Sequence, residues 1–130
     1  RPDMAYRRFI QQALRNETIS LYGSGEQTRS NTYIDDCVTA TISALALGGE
    51  GEIYNISGNA ERSIKEALEI IGRHVGQALD IEHLPAARGD QVRTMGDTSK
   101  AQSELGFTHT VDLDEGLARQ VAWQRDLEHG

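Results

Sequence analysis

A glycine-rich turn followed by an arginine is the stretch of this sequence with the clearest binding chemistry. Gly23 and Gly25 follow a β-type run that ends at Tyr22, and Arg29 comes four residues after the second glycine. Glycine adopts positive φ without steric cost, so the backbone can turn sharply here. Arginine presents five donors in a rigid fork that suits phosphate or carboxylate. The pattern predicts an anion-binding loop, and the alternative is an ordinary hairpin with a solvated arginine.

A second segment, from Ala86 to Asp97, carries further groups of this kind. It has the spacing of neither a helix nor a strand, so it is predicted to be a loop, and it contains Arg88, Asp90 and Arg93. Converging arginines offset the charge of a diphosphate locally, since each charge-assisted hydrogen bond is worth about 1.5–3 kcal/mol. The ring of Tyr22 offers a flat face on which a base can stack.

Other residue types that often carry catalysis lack the required spacing. The four histidines show no metal-binding pattern such as H-E-x-x-H. Cys37 has no basic neighbour in sequence and is interpreted as a small hydrophobe. Asp35 precedes an apolar helix beginning at Asp36, where the expected role is an N-cap rather than an acid/base pair. We therefore predict no catalytic and no metal-binding residue in this chain.

Composition and charge narrow the functional class. The 130 residues are 38% hydrophobic with a net charge of −7, which is typical of one globular domain; we place it at 1–127, with 128–130 as a tail. An acidic chain is not expected to bind nucleic acid. No apolar run approaches the ~20 residues of a membrane-spanning helix. One cysteine cannot form an internal disulfide, which favours a reducing cytoplasm.

Helices and strands alternate along the predicted structure, which indicates an α/β fold. Apolar spacing and capping residues predict helices from about Pro2 to Asn16, Asp36 to Leu47, Ser63 to Gly76, Asp97 to Leu105, and from Asp112 onward. Runs rich in β-formers predict strands at Thr18 to Tyr22, Asn31 to Ile34, Glu52 to Ser57, and Asp80 to Leu84. Ser63 and Glu66 have the spacing of a capping box. The helix from Asp36 is apolar almost all round, which predicts burial on more than one side.

Several of these stretches, in this order, resemble a known family. They are ISLYGSGEQTRSNTYIDDCVTA, GEIYNISG, SIKEALEIIG, RGDQVRTMGDTSKAQSELGF and DEGLARQVAW. Together they resemble the C-terminal part of the NAD-dependent nucleotide-sugar epimerases and dehydratases, which are extended short-chain dehydrogenases, and most of all the UDP-glucose and UDP-glucuronate 4-epimerases. The resemblance implies the substrate-binding portion of such an enzyme, with the last helix and strand of its Rossmann-like sheet.

The resemblance also implies roles for the glycine-loop residues. Tyr22 matches the strand end that holds the uracil in UDP-sugar members of the family. Gln27 and Arg29 match the Q-T-R positions, where the arginine grips the diphosphate or ribose. Ser30 departs from the pattern, because many relatives have an aspartate there.

The second loop matches the family's R-G-D region. There Arg88 corresponds to an arginine that closes on the diphosphate, and Asp90 to an aspartate near the ribose. Arg93 is the alternative for that arginine, because the spacing around Gly-Asp varies in the family. Arg1 resembles a residue that contacts the sugar in uronate-type members.

The chain lacks the sequence motifs with which the family binds NAD and performs catalysis. No glycine turn links a strand to a helix, and no tyrosine has a lysine four residues later. The opening at Arg1, without methionine, indicates a segment of a longer parent. The resemblance therefore implies that NAD is bound upstream, where sugar C4 would be oxidised transiently and hydride returned to the other face.

Other readings of the parent protein remain open. A nucleotide-sugar dehydratase or decarboxylase is the alternative within the same enzyme class, and a non-catalytic binding or interaction domain is the alternative outside it. The chain alone is predicted to be inactive. It is also predicted to form a homo-oligomer, because an incomplete parallel sheet leaves an open edge and an uncovered apolar face.

Overall fold

A computed structural model describes residues 4–86 and 88–129. Over these ranges the chain forms five helices: α1 (Ala5–Leu14), α2 (Ile34–Leu47), α3 (Ile64–Val75), α4 (Ser99–Leu105) and α5 (Leu113–His129). It also forms five short strands: β1 (Ile19–Tyr22), β2 (Thr28–Arg29), β3 (Arg62–Ser63), β4 (Ile81–Leu84) and β5 (Arg93–Thr94). The predicted mixture of helices and strands is confirmed. The domain boundary at residue 127 stays a prediction, although α5 continues to His129.

The larger core lies where α1, α3 and α5 pack around β1. Its fully buried side chains include Ile10 of α1, Ile19 of β1, Ile71 of α3, and Leu117 and Val121 of α5. The helical residues in this set belong to the apolar spacing from which the helices were predicted. A smaller core joins α2 to α4 through Ala40, Ala101, Leu105 and Phe107. No helix among the described residues has the length and apolarity needed to cross a membrane.

Two small sheets hold the loops in place. β1 and β4 pair in parallel, from Ile19 opposite Ile81 to Tyr22 opposite Leu84. β2 lies between β3, which is antiparallel to it, and β5, which is parallel. β5 falls within the segment predicted to be entirely loop. Two-residue strands carry too little pattern to be recognised in a sequence, and pairing with β2 alone creates this one.

Capping of α3 follows the prediction. The hydroxyl of Ser63 accepts a hydrogen bond from the Glu66 amide at 3.1 Å, and the Glu66 carboxylate accepts one from the Ser63 amide at 2.8 Å. The helix ends at Gly76, whose φ of 89° is left-handed. Asp112 likewise accepts from the Glu115 amide at 2.9 Å in the first turn of α5.

The strand predicted from Asn31 to Ile34 is wrong. β2 ends at Arg29, the last bond to the β5 segment is made by the Ser30 amide, and α2 begins at Ile34 after an extended Tyr33. The carbonyl of Asn31 faces Gly58 so closely that a Cβ at that glycine would lie 2.2 Å from the oxygen. Residues 31–33 therefore run beside a loop, and none of the described strands pairs with their backbone.

The predicted N-cap at Asp35 is also wrong. Tyr33 occupies the cap position and makes no capping hydrogen bond through its side chain, whereas Asp35 lies in the first turn and pairs with Arg119 at 3.0 Å. Asp36 is 2% exposed and accepts hydrogen bonds from the amides of Thr110 and Val111, each at 3.1 Å. Its carboxylate thus joins the start of α2 to the segment before α5.

The segment from Glu52 to Ser57 is not a strand in the structure. No strand pairs with it among the described residues, and a strand needs a partner for its backbone groups. Side chains hold it instead, because the Tyr54 hydroxyl donates to Glu104 at 2.8 Å and Lys100 pairs with Glu52. Ile53 is left 80% exposed.

One face of α2 is uncovered. The prediction of burial on several sides is not met within the described residues, because only the side that contains Ala40 packs against α4. The open face carries Ile34, Val38, Ile42 and Leu45, and Leu45 is 90% exposed. Cys37 is exposed as well, rather than packed as a small hydrophobe.

We expect Asp36→Asn to lower the free energy of unfolding by about 1–3 kcal/mol, because an amide cannot satisfy the same set of buried donors. Chemical denaturation would measure this. Asp35→Asn, at the exposed neighbouring position, should leave the free energy of unfolding nearly unchanged. Equal effects of the two substitutions would contradict the assigned role of Asp36.

The same carboxylate should make stability depend on pH. Burial raises the pKa of Asp36, but hydrogen bonds from Thr110 and Val111 and the nearby His109 outweigh it, so the pKa lies below the usual range. A carboxylate whose pKa is lower in the folded state stabilises the fold at pH values above its pKa in the unfolded chain, about 4. This contribution disappears as the pH falls through the pKa of the folded state. The stability difference between wild type and Asp36→Asn should therefore shrink below about pH 4.

Candidate functional site

A cleft of about 530 Å³ lies between the first turns of α1 and the ends of β1 and β2. Four of the six predicted site residues line it: Tyr22, Gln27, Arg29 and Asp90. Phe9, Leu21 and Ile64 supply apolar lining. The fold thus brings the glycine loop and part of the second loop to one site.

The glycine loop turns as predicted. Gly23 and Gly25 have φ values of 81° and 82°, and a Cβ at Gly25 would lie 3.1 Å from the Leu21 side chain. The Gly23 amide donates to the Leu84 carbonyl at 2.9 Å, and the Gly25 carbonyl accepts from the Lys65 amide at 3.0 Å. The loop connects strands of two different sheets, so the hairpin alternative is wrong.

Arg29 and Asp90 form the charged centre of the cleft. Arg29 Nη2 lies 2.7 Å from Asp90 Oδ1, and Arg29 Nη1 donates to the Thr28 carbonyl at 2.8 Å. Gln27 Nε2 donates to the Tyr22 carbonyl at 3.0 Å and reaches Asp90 Oδ2 at 3.4 Å. The Arg29 side chain is only 23% exposed. Asp90 therefore links the Gln27 and Arg29 side chains.

Arg88 and Arg93 lie outside this lining. Arg88 is exposed in the turn that precedes Asp90. Arg93 Nε donates to Glu61 Oε1 at 2.6 Å, and Arg93 lines a separate cleft with Gly58 and Met95. The hydrogen bond and charge of Arg93 lower the pKa of Glu61, and Glu61 in turn raises the pKa of Arg93.

Sequence reasoning missed the contribution of α1 to the cleft. Tyr6, Arg7 and Arg8 line it, and the Tyr6 hydroxyl accepts a hydrogen bond from Asn31 Nδ2 at 2.8 Å. Burial raises the pKa of Tyr6, against the lowering effects of Asn31 and Arg29. The only sequence signal was a pair of adjacent arginines on a helix, which by itself indicates a solvated face. Arg1 lies outside the described residues.

The described residues offer no site for a metal ion, since no group of three or more histidine, cysteine, aspartate or glutamate side chains is suitably arranged among them. Nor do the described residues contain the glycine turn with which dinucleotides are bound. The glycine turn of this chain leads from β1 to β2 rather than to a helix N-terminus, which is the feature that cradles a dinucleotide pyrophosphate.

Comparison with known proteins gives a family and several relatives. Residues 4–120 match the family described as GDP-mannose 4,6 dehydratase. UDP-glucuronate 4-epimerase from Thermodesulfobacterium geofontis is 36% identical over 127 residues, which are 97% of this chain and 39% of that protein. UDP-glucuronic acid decarboxylase 1 from Danio rerio is 35% identical over 122 residues, 93% of this chain and 29% of that protein.

Solved structures agree with the sequence relatives. UDP-glucuronic acid 4-epimerase from Bacillus cereus, in complex with UDP-glucuronic acid and NAD, matches 98% of this chain and 41% of its own chain, with a TM-score of 0.93 and 35% identity. The chain thus spans well under half the length of the relatives that it matches. It belongs to the GDP-mannose 4,6 dehydratase family, and its fold is that of the C-terminal portion of these extended short-chain dehydrogenases.

Proposed function

We propose that this chain binds the nucleotide part of a UDP-sugar, as the substrate-binding portion of an NAD-dependent 4-epimerase. The observation that carries the proposal is the convergence of Tyr22, Gln27, Arg29 and Asp90 on one cleft. In a chain of net charge −7, an anion must be held by such local placement of cations rather than by a basic surface.

Each side chain has a distinct role in this proposal. Arg29 binds the diphosphate and keeps its hydrogen bond to the Thr28 carbonyl, while a phosphate oxygen takes the donor that now faces Asp90. The Asp90 carboxylate then accepts from a ribose hydroxyl. Tyr22, which is 45% exposed at the end of β1, stacks against the uracil. Arg88 closes over the diphosphate from the second loop.

Arg7 adds support from an independent observation. Its Nε is buried without a hydrogen-bond partner among the described residues, and its guanidinium lies 5.8 Å from the centre of the Trp123 ring. Arg7 also lines the cleft, so its guanidinium places positive charge beside the proposed diphosphate.

The proposed reaction of the whole protein is 4-epimerisation of a UDP-sugar. Relatives named as epimerases and as decarboxylases have similar identities, at 36% and 35%, so a nucleotide-sugar decarboxylase or dehydratase is the alternative. A binding domain without catalysis is the alternative from another class. Assay of a protein that includes the upstream segment separates them by product: the C4 epimer, carbon dioxide, a 4-keto sugar, or none.

The proposed NAD site belongs to the part of the relatives that this chain does not span. In the Bacillus cereus epimerase, whose structure contains NAD, the match covers 41% of the chain. We further propose a cytoplasmic location, because the only cysteine has no partner for an internal disulfide. Nucleic acid and membranes are not proposed as partners.

We expect Arg29→Ala to weaken UDP binding by about 1.5–3 kcal/mol, through loss of a charge-assisted contact. Isothermal titration calorimetry would measure it. Arg15→Ala is the matched control, because it removes the same charge from a pair with Glu128 on another part of the surface. Unchanged UDP affinity in an Arg29→Ala, Arg88→Ala double variant would refute the assignment.

The 130-residue chain alone is expected neither to retain NAD nor to convert UDP-glucuronate or UDP-glucose. Its residues supply no strand-to-helix glycine turn and no Tyr-x-x-x-Lys pair. Equilibrium dialysis with NAD and chromatographic analysis of the sugar products would test this. Epimerised product from the purified chain, free of full-length enzyme, would overturn it.

We also propose that the isolated chain self-associates through the open face of α2. Ile34, Val38, Ile42 and Leu45 form a continuous apolar stripe at helical spacing, and exposed stripes of this kind promote association. Light scattering over a dilution series should show concentration-dependent mass, and Leu45→Glu should reduce it. Leu127→Glu, at an exposed leucine of α5, is the control. A strictly monomeric wild-type chain with little binding of an apolar dye would contradict the proposal.

A further inference from the structure

Glu61 lies at the junction of the three strands of the small sheet β3-β2-β5, which holds one end of the second loop. It immediately precedes β3, and its Oε1 accepts hydrogen bonds from Arg93 Nε of β5 at 2.6 Å and from Thr28 Oγ1 of β2 at 3.4 Å. The Glu61 side chain is 21% exposed, whereas that of Arg93 is 69% exposed. One carboxylate next to β3 thus contacts the other two strands of the small sheet, β2 and β5.

The backbone pairing of this sheet is short, although the Gly96 amide after β5 also donates to Ser57 Oγ at 3.3 Å. Each of its strands has two residues, and the backbone bonds joining β2 to the β5 segment run from the Thr28 amide to the Val92 carbonyl at 2.9 Å and from the Ser30 amide to the Thr94 carbonyl at 3.1 Å. Such short pairings are marginal by themselves. A charge-assisted bond from Glu61 adds a restraint on β5 that depends on its ionised carboxylate.

The position of β5 determines where Asp90 lies. The second loop runs from β4 to β5, and its β4 end is anchored by the bond between the Gly23 amide and the Leu84 carbonyl. Asp90 stands three residues before Arg93 and contacts both Arg29 and Gln27. If β5 separates from β2, the loop loses its second anchor and Asp90 moves away from Arg29.

We propose that Glu61 is a positioning residue for the nucleotide site: by holding Arg93 and Thr28 it fixes the loop that presents Arg88 and Asp90 to the cleft. The inference rests on the proposed function. It also decides which of the two arginines of the second loop faces the diphosphate. Arg93 is engaged in the pair with Glu61, whereas Arg88 makes no ion pair with a described residue. Arg88 is therefore the one that meets the diphosphate.

Two substitutions distinguish this role from the alternative in which Arg93 binds the diphosphate. If the Glu61–Arg93 pair positions the loop, Glu61→Gln and Arg93→Gln should each weaken UDP binding by a similar factor, about 3- to 10-fold. The double variant should then lose no more UDP affinity than either single variant. If Arg93 is a ligand, Glu61→Gln frees it and UDP binds as tightly or more tightly, while Arg93→Gln alone weakens binding. Calorimetric titration of the four proteins decides, and the second pattern would overturn the proposal.

Amide hydrogen exchange supplies a readout that does not need UDP. Glu61→Gln should speed exchange at the Thr28 and Ser30 amides, which bond to the β5 segment, and leave the Ile19 amide, which donates to the Asp80 carbonyl in the other sheet, unchanged. Glu26→Gln is the matched control, because it breaks an exposed pair with Lys65 at 3.3 Å in the same loop region. It should change neither exchange nor UDP affinity.

The two readouts separate the ways in which the proposal fails. Unchanged amide exchange at Thr28 and Ser30 in Glu61→Gln would show that Glu61 does not hold β5 against β2. It would overturn the proposal even if UDP still bound. Faster exchange with undiminished UDP affinity would overturn the positioning role while leaving the proposed function standing. No UDP binding by the unsubstituted chain would overturn the proposed function, and the role of Glu61 in it.

Discussion

The first turn of α3 is the constraint on which the rest of the site depends. A helix N-terminus has backbone amides without helical partners, and here the amides of Ile64 and Lys65 donate to the carbonyls of Gln27 and Gly25 at 3.1 and 3.0 Å. Carbonyls of the glycine loop thereby accept hydrogen bonds from the free amides of the first helical turn, and these bonds hold the loop in place. Because α3 is also packed between α1 and α5 in the larger core, the position of Arg29 is set by the most deeply buried part of the molecule.

Ion pairs then orient the side chains whose positions the backbone sets. The chain is acidic, and two arginines at the cleft or beside it pair with individual carboxylates: Arg29 with Asp90 within the cleft, and Arg93 with Glu61 beside it. Pairing keeps these side chains in defined positions while no anion is bound. Under the proposed function an anion would compete with Asp90 for Arg29, so its affinity would reflect the difference between two ion pairs rather than the full strength of one.

The α2 region shows the structural consequence of spanning part of a larger fold. The helix buries one side against α4 and leaves an apolar stripe open, and the segment from Glu52 to Ser57 has β-forming residues but no neighbouring strand among those described. Relatives are more than twice as long as this chain. Asp36 nevertheless ties the start of α2 to Thr110 and Val111, so the uncovered helix has a fixed orientation.

Local chemistry by itself determined much of this protein. The capping box at Ser63, the left-handed glycines and the apolar faces of α1 and α3 depend on residues near one another in sequence, and the sequence predicted them correctly. It also marked Arg29 and Asp90. Tertiary structure alone decided that the Asp36 carboxylate is buried against Thr110 and Val111. It also decided that the start of α1 lines the cleft and that Arg93 pairs with Glu61. Those outcomes join segments tens of residues apart, where the partner of a polar side chain is set by packing and not by its own neighbours.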